Sequence, residues 1–175
     1  MATFKQFLDS LDNDNKGDQF EKIFVKWFLT HDPFWSSQID QIWLYDDYHD
    51  RWGPDTGVDL VFRHKNSDIW AVQAKCYSQN YYIKKSDIDS FMSDSDRPEI
   101  NKRLLIATTD MIGSNAKRTL DGPGNVVKYL YSDFEIANVD YPEDISKLNL
   151  SKIKKPPNPL PHQSLAIDKV EKEFI

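Results

Sequence analysis

The sequence predicts a mixed α/β fold, in which a central sheet of mixed strand direction is flanked by helices. Segments with helical spacing of apolar residues alternate with short runs rich in β-branched and aromatic residues, in the order α β β β α β α β. With 175 residues, 39% of them hydrophobic and 13% aromatic, the chain is long enough to bury one core without disulfide staples.

The N-terminal half is predicted to contain one helix and three strands. A strand over 41–45 is followed by a loop over 46–57, which is rich in turn residues. Strands over 58–63 and 69–75 are joined by a short polar segment, so we expect an antiparallel hairpin. The helix is predicted over 18–29, because its apolar residues recur at helical spacing at Phe20, Ile23, Phe24, Trp27 and Phe28.

The C-terminal half is predicted to alternate helices with strands. Ser86 is expected to cap a helix in a capping box, and the strand over 103–108 reads as buried. Ser114 is expected to cap a short helix through Leu120, before a last strand over 126–131. The apolar positions of the first of these helices are Ile88, Phe91 and Met92.

Composition limits the class of protein. Cys76 is the single cysteine, so no internal disulfide is possible, and the chain suits a reducing cytoplasm. Neither a secretory signal nor an apolar run of about eighteen residues is present, and we expect a soluble protein without a membrane partner. The four histidines are too scattered to suggest a zinc site; they are His31, His49, His64 and His162.

Net charge is −6, which by itself argues weakly against nucleic acid, because lysine and arginine dominate phosphate binding. The distribution is uneven, however. Residues 1–59 carry 5 basic and 12 acidic side chains, whereas residues 73–131 carry 9 basic and 7 acidic. The middle of the chain is therefore a candidate DNA-facing side, and a generally solvated surface explains the charges equally well.

The predicted hairpin brings three polar residues to one end of the sheet. Asp59 begins one strand, and Gln73 and Lys75 lie two apart on the next, so they share a face. Mg²⁺ prefers oxygen ligands and keeps several waters, so Asp59, the Gln73 oxygen and the backbone carbonyl of Ala74 suffice as protein ligands. Lys75 would orient an attacking water or neutralise developing negative charge.

Two further acids are candidate ligands. Glu21 lies on the first helix, and metal binding and a solvated helix position are equally good interpretations. Asp55 follows Pro54 as a literal Pro-Asp pair, but it precedes Gly57 and the strand. We prefer Asp59 to Asp55, because apolar strand residues flank Asp59. As a bare pattern, an acid followed 14 residues later by Gln-x-Lys is weakly specific.

Several segments resemble a known family in combination: residues 17–21 (GDQFE), 56–60 (TGVDL), 71–75 (AVQAK) and 105–109 (LIATT). Over residues 17–135 the chain resembles Mrr-like PD-(D/E)XK nucleases. The resemblance implies a restriction-endonuclease-like core and hydrolysis of DNA phosphodiesters with Mg²⁺, for which Mn²⁺ can substitute.

By position, the resemblance assigns the metal-binding aspartate to Asp59, the Asp/Glu position to Gln73, the lysine to Lys75 and the helix acid to Glu21. Glutamine departs from the general signature but is common in the Mrr-like branch. A neutral ligand is expected to bind metal less tightly than glutamate, so Gln73→Glu is expected to stay active or bind metal more tightly. Near a helix start, the candidates for phosphate contact are Asn115, Lys117 and Arg118, although a solvated helix end is the more common situation.

Domain boundaries follow from composition. We expect a nuclease domain over 1–145, a lysine- and proline-rich linker over 146–159, and the truncated start of a helicase domain over 160–175. Residues 160–167 (LPHQSLAI) resemble the opening of superfamily 2 helicase motors, in which Gln163 would recognise adenine. The chain has no phosphate-binding Gly-Lys-Ser/Thr loop after it, so ATP would act only through a helicase domain of a longer polypeptide.

The favoured function is therefore the DNA endonuclease of an ATP-dependent restriction system, similar to Type ISP restriction-modification enzymes. The expected partners are double-stranded DNA, a helicase domain of the same polypeptide, and a second nuclease copy for double-strand cleavage. Two alternatives stay open: a catalytically weak DNA-binding module with the same fold, which the neutral Gln73 favours, and a nuclease for junctions or RNA.

Overall fold

A five-stranded mixed sheet forms the centre of the molecule, which confirms the predicted fold class. The computed structural model describes residues 2–54 and 56–148. Met1, Asp55 and residues 149–175 lie outside the described residues, and with them most of the predicted linker, the helicase-like segment and Gln163. The strands are β1 (Ile39–Leu44), β2 (Leu60–His64), β3 (Ile69–Lys75), β4 (Lys102–Ala107) and β5 (Val126–Tyr129).

The strands lie in the order in which they occur along the chain. The β1-β2-β3 pairs are antiparallel, and Leu60 opposes Val72 in the hairpin that the sequence predicts. β4 and β5 are added in parallel, with Lys75 of β3 opposite Ala107 of β4. Because β2 runs against β3, the start of β2 lies at the same edge of the sheet as the ends of β3 and β4.

Seven α-helices are described in residues 2–54 and 56–148: α1 (Phe4–Asp9), α2 (Lys16–Asp18), α3 (Val25–His31), α4 (Pro33–Gln38), α5 (Lys85–Asp94), α6 (Ser114–Asp121) and α7 (Tyr131–Ile136). The helix predicted over 18–29 is present, but it is α2 and α3 joined without a break by a π-helical segment, Gln19–Phe24. Within it the Val25 N–H donates to the Phe20 carbonyl, five residues back. Short 3₁₀ turns lie at Tyr45–Asp47 and Ile145–Lys147.

Both faces of the sheet are buried. One face packs against α1, the π segment, α3, α4 and α7 through a large aromatic cluster. At its centre Phe24 contacts the rings of Phe4, Phe7, Phe28 and Phe134. The other face packs against α5 and α6, where Val61 and Leu105 of the sheet are fully buried. This two-layer cover positions the polar residues at the sheet edge.

The helix caps differ from those predicted. α5 begins after Lys84, whose backbone N–H donates to the Asp87 carboxylate at 2.8 Å, and Ser86 lies exposed inside the first turn. The residue that precedes α6 is Gly113, so Ser114 is the first helical residue and does not cap. The two helices therefore begin two residues and one residue earlier than a capping Ser86 and a capping Ser114 would imply. The extended N-cap residues are Lys84 and Gly113.

Some predicted ends are shifted and some helices were missed. β5 ends at Tyr129, because Tyr131 turns its aromatic ring into the core as the first residue of α7. α1 and α4 carry recognisable signals: Thr3 and Gln6 form a capping box, and Asp32 caps α4 with Pro33 at its first position. Leu148 is buried in the aromatic cluster, so the packed core continues beyond residue 145. Within the described residues, no helix is long and apolar enough to cross a membrane.

Candidate active site

The predicted site residues meet at the edge of the sheet where β2 begins and β3 ends. Asp59 directly precedes β2, and Gln73 and Lys75 belong to the last three residues of β3. Hairpin register alone produces this meeting, since Leu60 opposes Val72. The structure thus brings Asp59 together with Gln73 and Lys75, which lie 14 and 16 residues after it in the sequence.

Asp59 is held in place by bonds on three sides. Its backbone N–H donates to the Val72 carbonyl at 2.8 Å, and its own carbonyl accepts from the Tyr45 N–H at 2.9 Å. Its side-chain Oδ2 accepts from the backbone N–H of Ala74, also at 2.8 Å. The Asp59 carboxylate therefore accepts the Ala74 N–H in place of the backbone carbonyl that would accept it in a regular antiparallel ladder. This bond to β3 fixes the orientation of the carboxylate.

Gln73 is buried, with 3% of its surface exposed. Its Nε2 donates to the Gly57 carbonyl at 3.2 Å. Its Oε1 has no hydrogen-bond partner among the described residues. A buried oxygen without a donor is costly, so this atom is suited to a cation or an ordered water at the site.

The backbone carbonyl of Ala74 is directed toward the same place. Along β3, the carbonyl of Val72 accepts from Asp59 on the β2 side, whereas that of Lys75 accepts from Thr108 on the β4 side. This alternation directs the Ala74 carbonyl to the β2 side. There β2 has not yet begun, and the Gly57 N–H donates elsewhere, to Asp94.

Glu21 approaches the site from the π segment, and it is partly buried. Burial and then the negative charge of Asp59 raise the pKa of Glu21 to about 7, while Lys75 and Lys22 lower it. The sequence allowed either a metal-binding or a solvated position for Glu21. Its partial burial beside Asp59 does not agree with the solvated one. Glu21 faces the same cluster of charges as Asp59 and Lys75.

The pKa of Asp59 is also raised, to about 6, chiefly by burial. The Ala74 N–H, Lys75 and Lys22 oppose this by favouring the charged form. With pKa values of about 7 for Glu21 and about 6 for Asp59, both carboxyl groups are protonated in part below neutral pH, and a divalent cation would favour their ionised forms.

The donor set fits a hard cation with few protein ligands. Within residues 2–54 and 56–148, no three His, Cys, Asp or Glu side chains come together as a metal cluster. The oxygens at this edge are two carboxylates, one orphaned amide oxygen and one backbone carbonyl. Mg²⁺ accepts such a mixture, because it retains several waters.

The candidate DNA contacts Asn115, Lys117 and Arg118 are exposed on α6. That helix follows β4, which ends at the site edge, so its first turn lies on the same side of the sheet. The loop after β3 joins the loop after β4 there, since the Ile83 N–H donates to the Met111 carbonyl at 2.9 Å. Within residues 2–54 and 56–148, these α6 side chains form no hydrogen bond or ion pair with Asp59, Gln73 or Lys75.

Sequence reasoning missed residues that hold the site in shape. Thr108, fully buried, accepts from the Tyr77 N–H and donates to the Tyr77 carbonyl, both at 2.6 Å, which pins the chain just after Lys75. Asp94 accepts from the Gly57 N–H across 37 residues of sequence. No local sequence pattern predicts a contact between residues so far apart. Gly57 itself belongs to the segment TGVDL, which the sequence analysis singled out.

A protein-family model matches most of the chain. The Mrr_cat_2 model, described as "Restriction endonuclease", matches residues 30–149, which is more than half of the chain. Glu21 lies before the matched range. No curated protein matches the chain.

Similar solved structures include two restriction enzymes in complex with DNA or an oligonucleotide. The ATP-dependent Type ISP restriction-modification enzyme LlaBIII bound to DNA is 27% identical, with a TM-score of 0.66 over 96% of this chain and 11% of that chain. The MspJI restriction endonuclease in complex with a 27-mer oligonucleotide is 15% identical, with a TM-score of 0.36 over 47% of this chain and 20% of that chain. The present chain thus spans about a tenth of LlaBIII, and the likeness to MspJI is too low to carry an argument.

Proposed function

Because the chain belongs to the Mrr_cat_2 family of restriction endonucleases, we propose that it hydrolyses DNA phosphodiester bonds in a Mg²⁺-dependent reaction at Asp59, Gln73 and Lys75. The observation that carries this proposal is the geometry at the sheet edge. The Asp59 carboxylate is fixed by the Ala74 N–H at 2.8 Å, next to a buried Gln73 oxygen that has no partner among the described residues.

The proposed metal ligands are the Asp59 carboxylate, Gln73 Oε1, the Ala74 carbonyl and Glu21. All are oxygens, which suits Mg²⁺, and Mn²⁺ accepts the same set. When bound, the cation would polarise the scissile phosphate and lower the pKa of a bound water. The protein's part is to hold these oxygens in place before DNA arrives.

Lys75 is the proposed catalytic cation of the site. Its side chain is partly buried at the end of β3 and forms no hydrogen bond or ion pair within residues 2–54 and 56–148. Its charge lowers the pKa of both Asp59 and Glu21, which favours their ionised, metal-binding forms. In this proposal the ammonium group would orient the attacking water or neutralise charge that develops on the phosphate.

The DNA-facing surface extends from this edge over α6. Asn115, Lys117 and Arg118 are exposed, and the two cations form no ion pair within the described part of the chain. Nearby, Tyr82 and Met111 expose 60% and 40% of their surface on the loops after β3 and β4. Cations that contact phosphate and apolar side chains that contact sugar or base edges together form a DNA-binding surface.

Likeness to LlaBIII over 96% of this chain supports a wider proposal. The domain is used within a longer ATP-dependent restriction-modification enzyme of the cytoplasm, where a helicase domain of the same polypeptide brings it to double-stranded DNA. One copy of the site hydrolyses one strand, so double-strand cleavage uses a second nuclease copy. ATP is consumed only by the helicase domain. The proposed boundaries are a nuclease domain over 1–145, a linker over 146–159 and the start of a helicase domain over 160–175. Because Leu148 is buried in the aromatic cluster, the packed core extends into the first residues of the proposed linker.

Plasmid nicking tests the proposed function. Wild-type protein incubated with supercoiled plasmid and Mg²⁺ or Mn²⁺ is expected to convert it to the open circle, and EDTA is expected to stop this. Asp59→Ala should abolish nicking while circular dichroism shows an unchanged fold. A folded wild-type protein that binds DNA but cuts none with either metal would favour the binding-module alternative, and a panel of RNA and junction substrates would expose a different nuclease specificity.

A further inference from the structure

The side-chain amide of Gln73 is oriented by a single backbone group, the carbonyl of Gly57. The amide Nε2 donates to this carbonyl at 3.2 Å, while Oε1 is left without a partner among the described residues. An amide is two-sided, since its nitrogen can only donate and its oxygen can only accept. The Gly57 carbonyl therefore selects the orientation in which the oxygen, the one atom able to bind a cation, points away from Gly57.

Gly57 is in turn held against the last turns of α5. The Asp94 carboxylate, at the end of α5, accepts from the Gly57 N–H at 3.1 Å. A Cβ at position 57 would lie 2.5 Å from the backbone nitrogen of Phe91, so only glycine allows this close approach. The Val58 N–H, which belongs to the same peptide unit as the Gly57 carbonyl, donates to Thr56 Oγ1 at 3.3 Å. The carbonyl is thus fixed by contacts on both sides.

The same short segment positions a second proposed ligand. Two residues after Gly57, the Asp59 carboxylate accepts from the N–H of Ala74, which follows Gln73 on β3. Gly57 and Asp59 therefore accept hydrogen bonds from two consecutive residues of β3, Gln73 and Ala74. A shift of the segment away from α5 would move the Asp59 carboxylate and release the Gln73 amide together.

We propose that Asp94 is a positioning residue for the metal site, which acts through Gly57 to fix the amide orientation of Gln73, and that the site is built for an amide at position 73. The inference rests on the proposed function, because it assumes a cation at this edge. It assigns a role to a residue 35 positions from Asp59 in the sequence, and it explains why glutamine occupies the position of an acid.

The second part of the proposal reverses the expectation from charge alone. Glutamate at position 73 has no N–H to donate, so its carboxylate would face the Gly57 carbonyl oxygen with two negative atoms in contact. The position is buried, and an unpaired acceptor there is costly. Added negative charge attracts a cation only if the carboxylate keeps the geometry, and here the contact that sets the geometry is lost.

Mn²⁺ binding by paramagnetic resonance, which detects the free ion, tests the role of Asp94 without DNA or turnover. Asp94→Ala is expected to weaken Mn²⁺ binding about ten- to hundred-fold, the usual cost of removing a group that orients a metal ligand. Asp94→Asn keeps an oxygen that accepts from the Gly57 N–H and is expected to bind within about threefold of wild type. Asp89→Ala is the matched control on α5, since Asp89 pairs only with the exposed Lys85 among the described residues.

The outcomes separate the inference from the proposed function. Failure of wild-type protein to bind Mn²⁺ would contradict the proposed function. If wild type binds and Asp94→Ala binds equally well, whatever its melting temperature, the positioning role is wrong. Equal losses in Asp94→Ala and Asp94→Asn would also overturn it, because they would show an effect of charge and not of the hydrogen bond to Gly57.

Gln73→Glu tests the amide requirement in the same assay. It is expected to bind Mn²⁺ about tenfold more weakly than wild type or worse, since one buried hydrogen bond is lost. Mn²⁺ binding equal to or tighter than wild type would overturn the requirement. Circular dichroism establishes that the variant is folded, and if it is not, the two Asp94 variants decide the proposal.

Discussion

The carboxyl group of Glu21 lies close enough to Asp59 for the charge of Asp59 to raise its pKa. The two residues reach the site from different elements, the π segment Gln19–Phe24 and the start of β2. Burial raises both pKa values, that of Glu21 to about 7 and that of Asp59 to about 6. The metal-free protein therefore keeps protons on these two carboxyl groups at higher pH than the unfolded chain does, up to about pH 7 on Glu21.

This pair makes the stability of the metal-free protein fall as pH rises. Between about pH 4 and 7 the folded state keeps protons on Glu21 and Asp59 that the unfolded chain has already released, so the unfolding free energy decreases across this window. Glu21→Gln removes one such group. We expect the variant to melt about 2–4 °C above wild type at pH 8, which corresponds to roughly 1 kcal/mol for a chain of this size, and to match it at pH 4.

Calorimetric melting in EDTA from pH 4 to 8 measures this difference. Mg²⁺ or Mn²⁺ binds the ionised carboxylates, so metal affinity should rise between pH 6 and 8. A difference between Glu21→Gln and wild type that is independent of pH would show that Glu21 is not buried next to Asp59 in solution.

Lys75→Ala should reduce nicking by about a hundred- to a thousand-fold, the usual effect of removing a group that stabilises charge in the transition state. The Lys75 side chain forms no hydrogen bond or ion pair within residues 2–54 and 56–148, so the circular dichroism spectrum should be unchanged. Lys65→Ala is the matched control, because Lys65 is an exposed lysine in the turn between β2 and β3, at the opposite edge of the sheet. Equal losses in both variants would remove the assignment of Lys75.

Lys117→Ala combined with Arg118→Ala should weaken DNA binding and lower its dependence on salt. Each lost phosphate contact is expected to reduce the slope of log affinity against log salt by about 0.9. Fluorescence anisotropy with a labelled duplex at several salt concentrations gives the slope. If α6 is only a solvated surface, the double variant will show the wild-type slope.

Gly57→Ala should destabilise the protein by about 2 kcal/mol or more, because the new Cβ would lie 2.5 Å from Phe91 N and 2.9 Å from Phe91 Cα. Neither backbone atom of α5 can rotate away. Gly53→Ala is the control, since its Cβ would meet Thr56 Cγ2 at 3.8 Å, an ordinary contact. Urea denaturation of the two variants measures the cost, and similar values would mean that segment 56–59 does not pack on α5 as described.

Cleavage by residues 1–175 alone is expected to be slow nicking at high protein concentration, because a net charge of −6 attracts DNA phosphates poorly. A polypeptide that adds a helicase motor should make ATP-dependent double-strand breaks, since tethering raises the local concentration of the site on DNA. Gel analysis of plasmid products over time distinguishes the two. Rapid, ATP-independent double-strand cleavage at low concentration would point to a self-sufficient nuclease instead.

Much of the fold was accessible from local signals in the sequence. The β2-β3 hairpin follows from two apolar runs separated by a short polar turn, and its register places Asp59 opposite the end of β3. α1 and α4 were missed although Thr3 with Gln6 and Asp32 with Pro33 mark their starts, because each helix is only six residues long. The prediction that Ser86 and Ser114 cap helices is wrong. A serine just before an apolar helical pattern predicts an N-cap, and sequence alone does not distinguish it from a serine inside the first turn.

The sequence by itself determined which residues carry the proposed chemistry on the hairpin, because Asp59, Gln73 and Lys75 are brought together by strand pairing over a few residues. Tertiary structure alone decided the surroundings of that chemistry. Glu21 lies near the site because it belongs to a π-helical segment, which the apolar spacing of the sequence does not predict. Asp94 accepts a hydrogen bond from Gly57, 37 residues away in the sequence. Such contacts depend on how helices pack on a sheet, and the packing is set by the whole core, not by any local pattern.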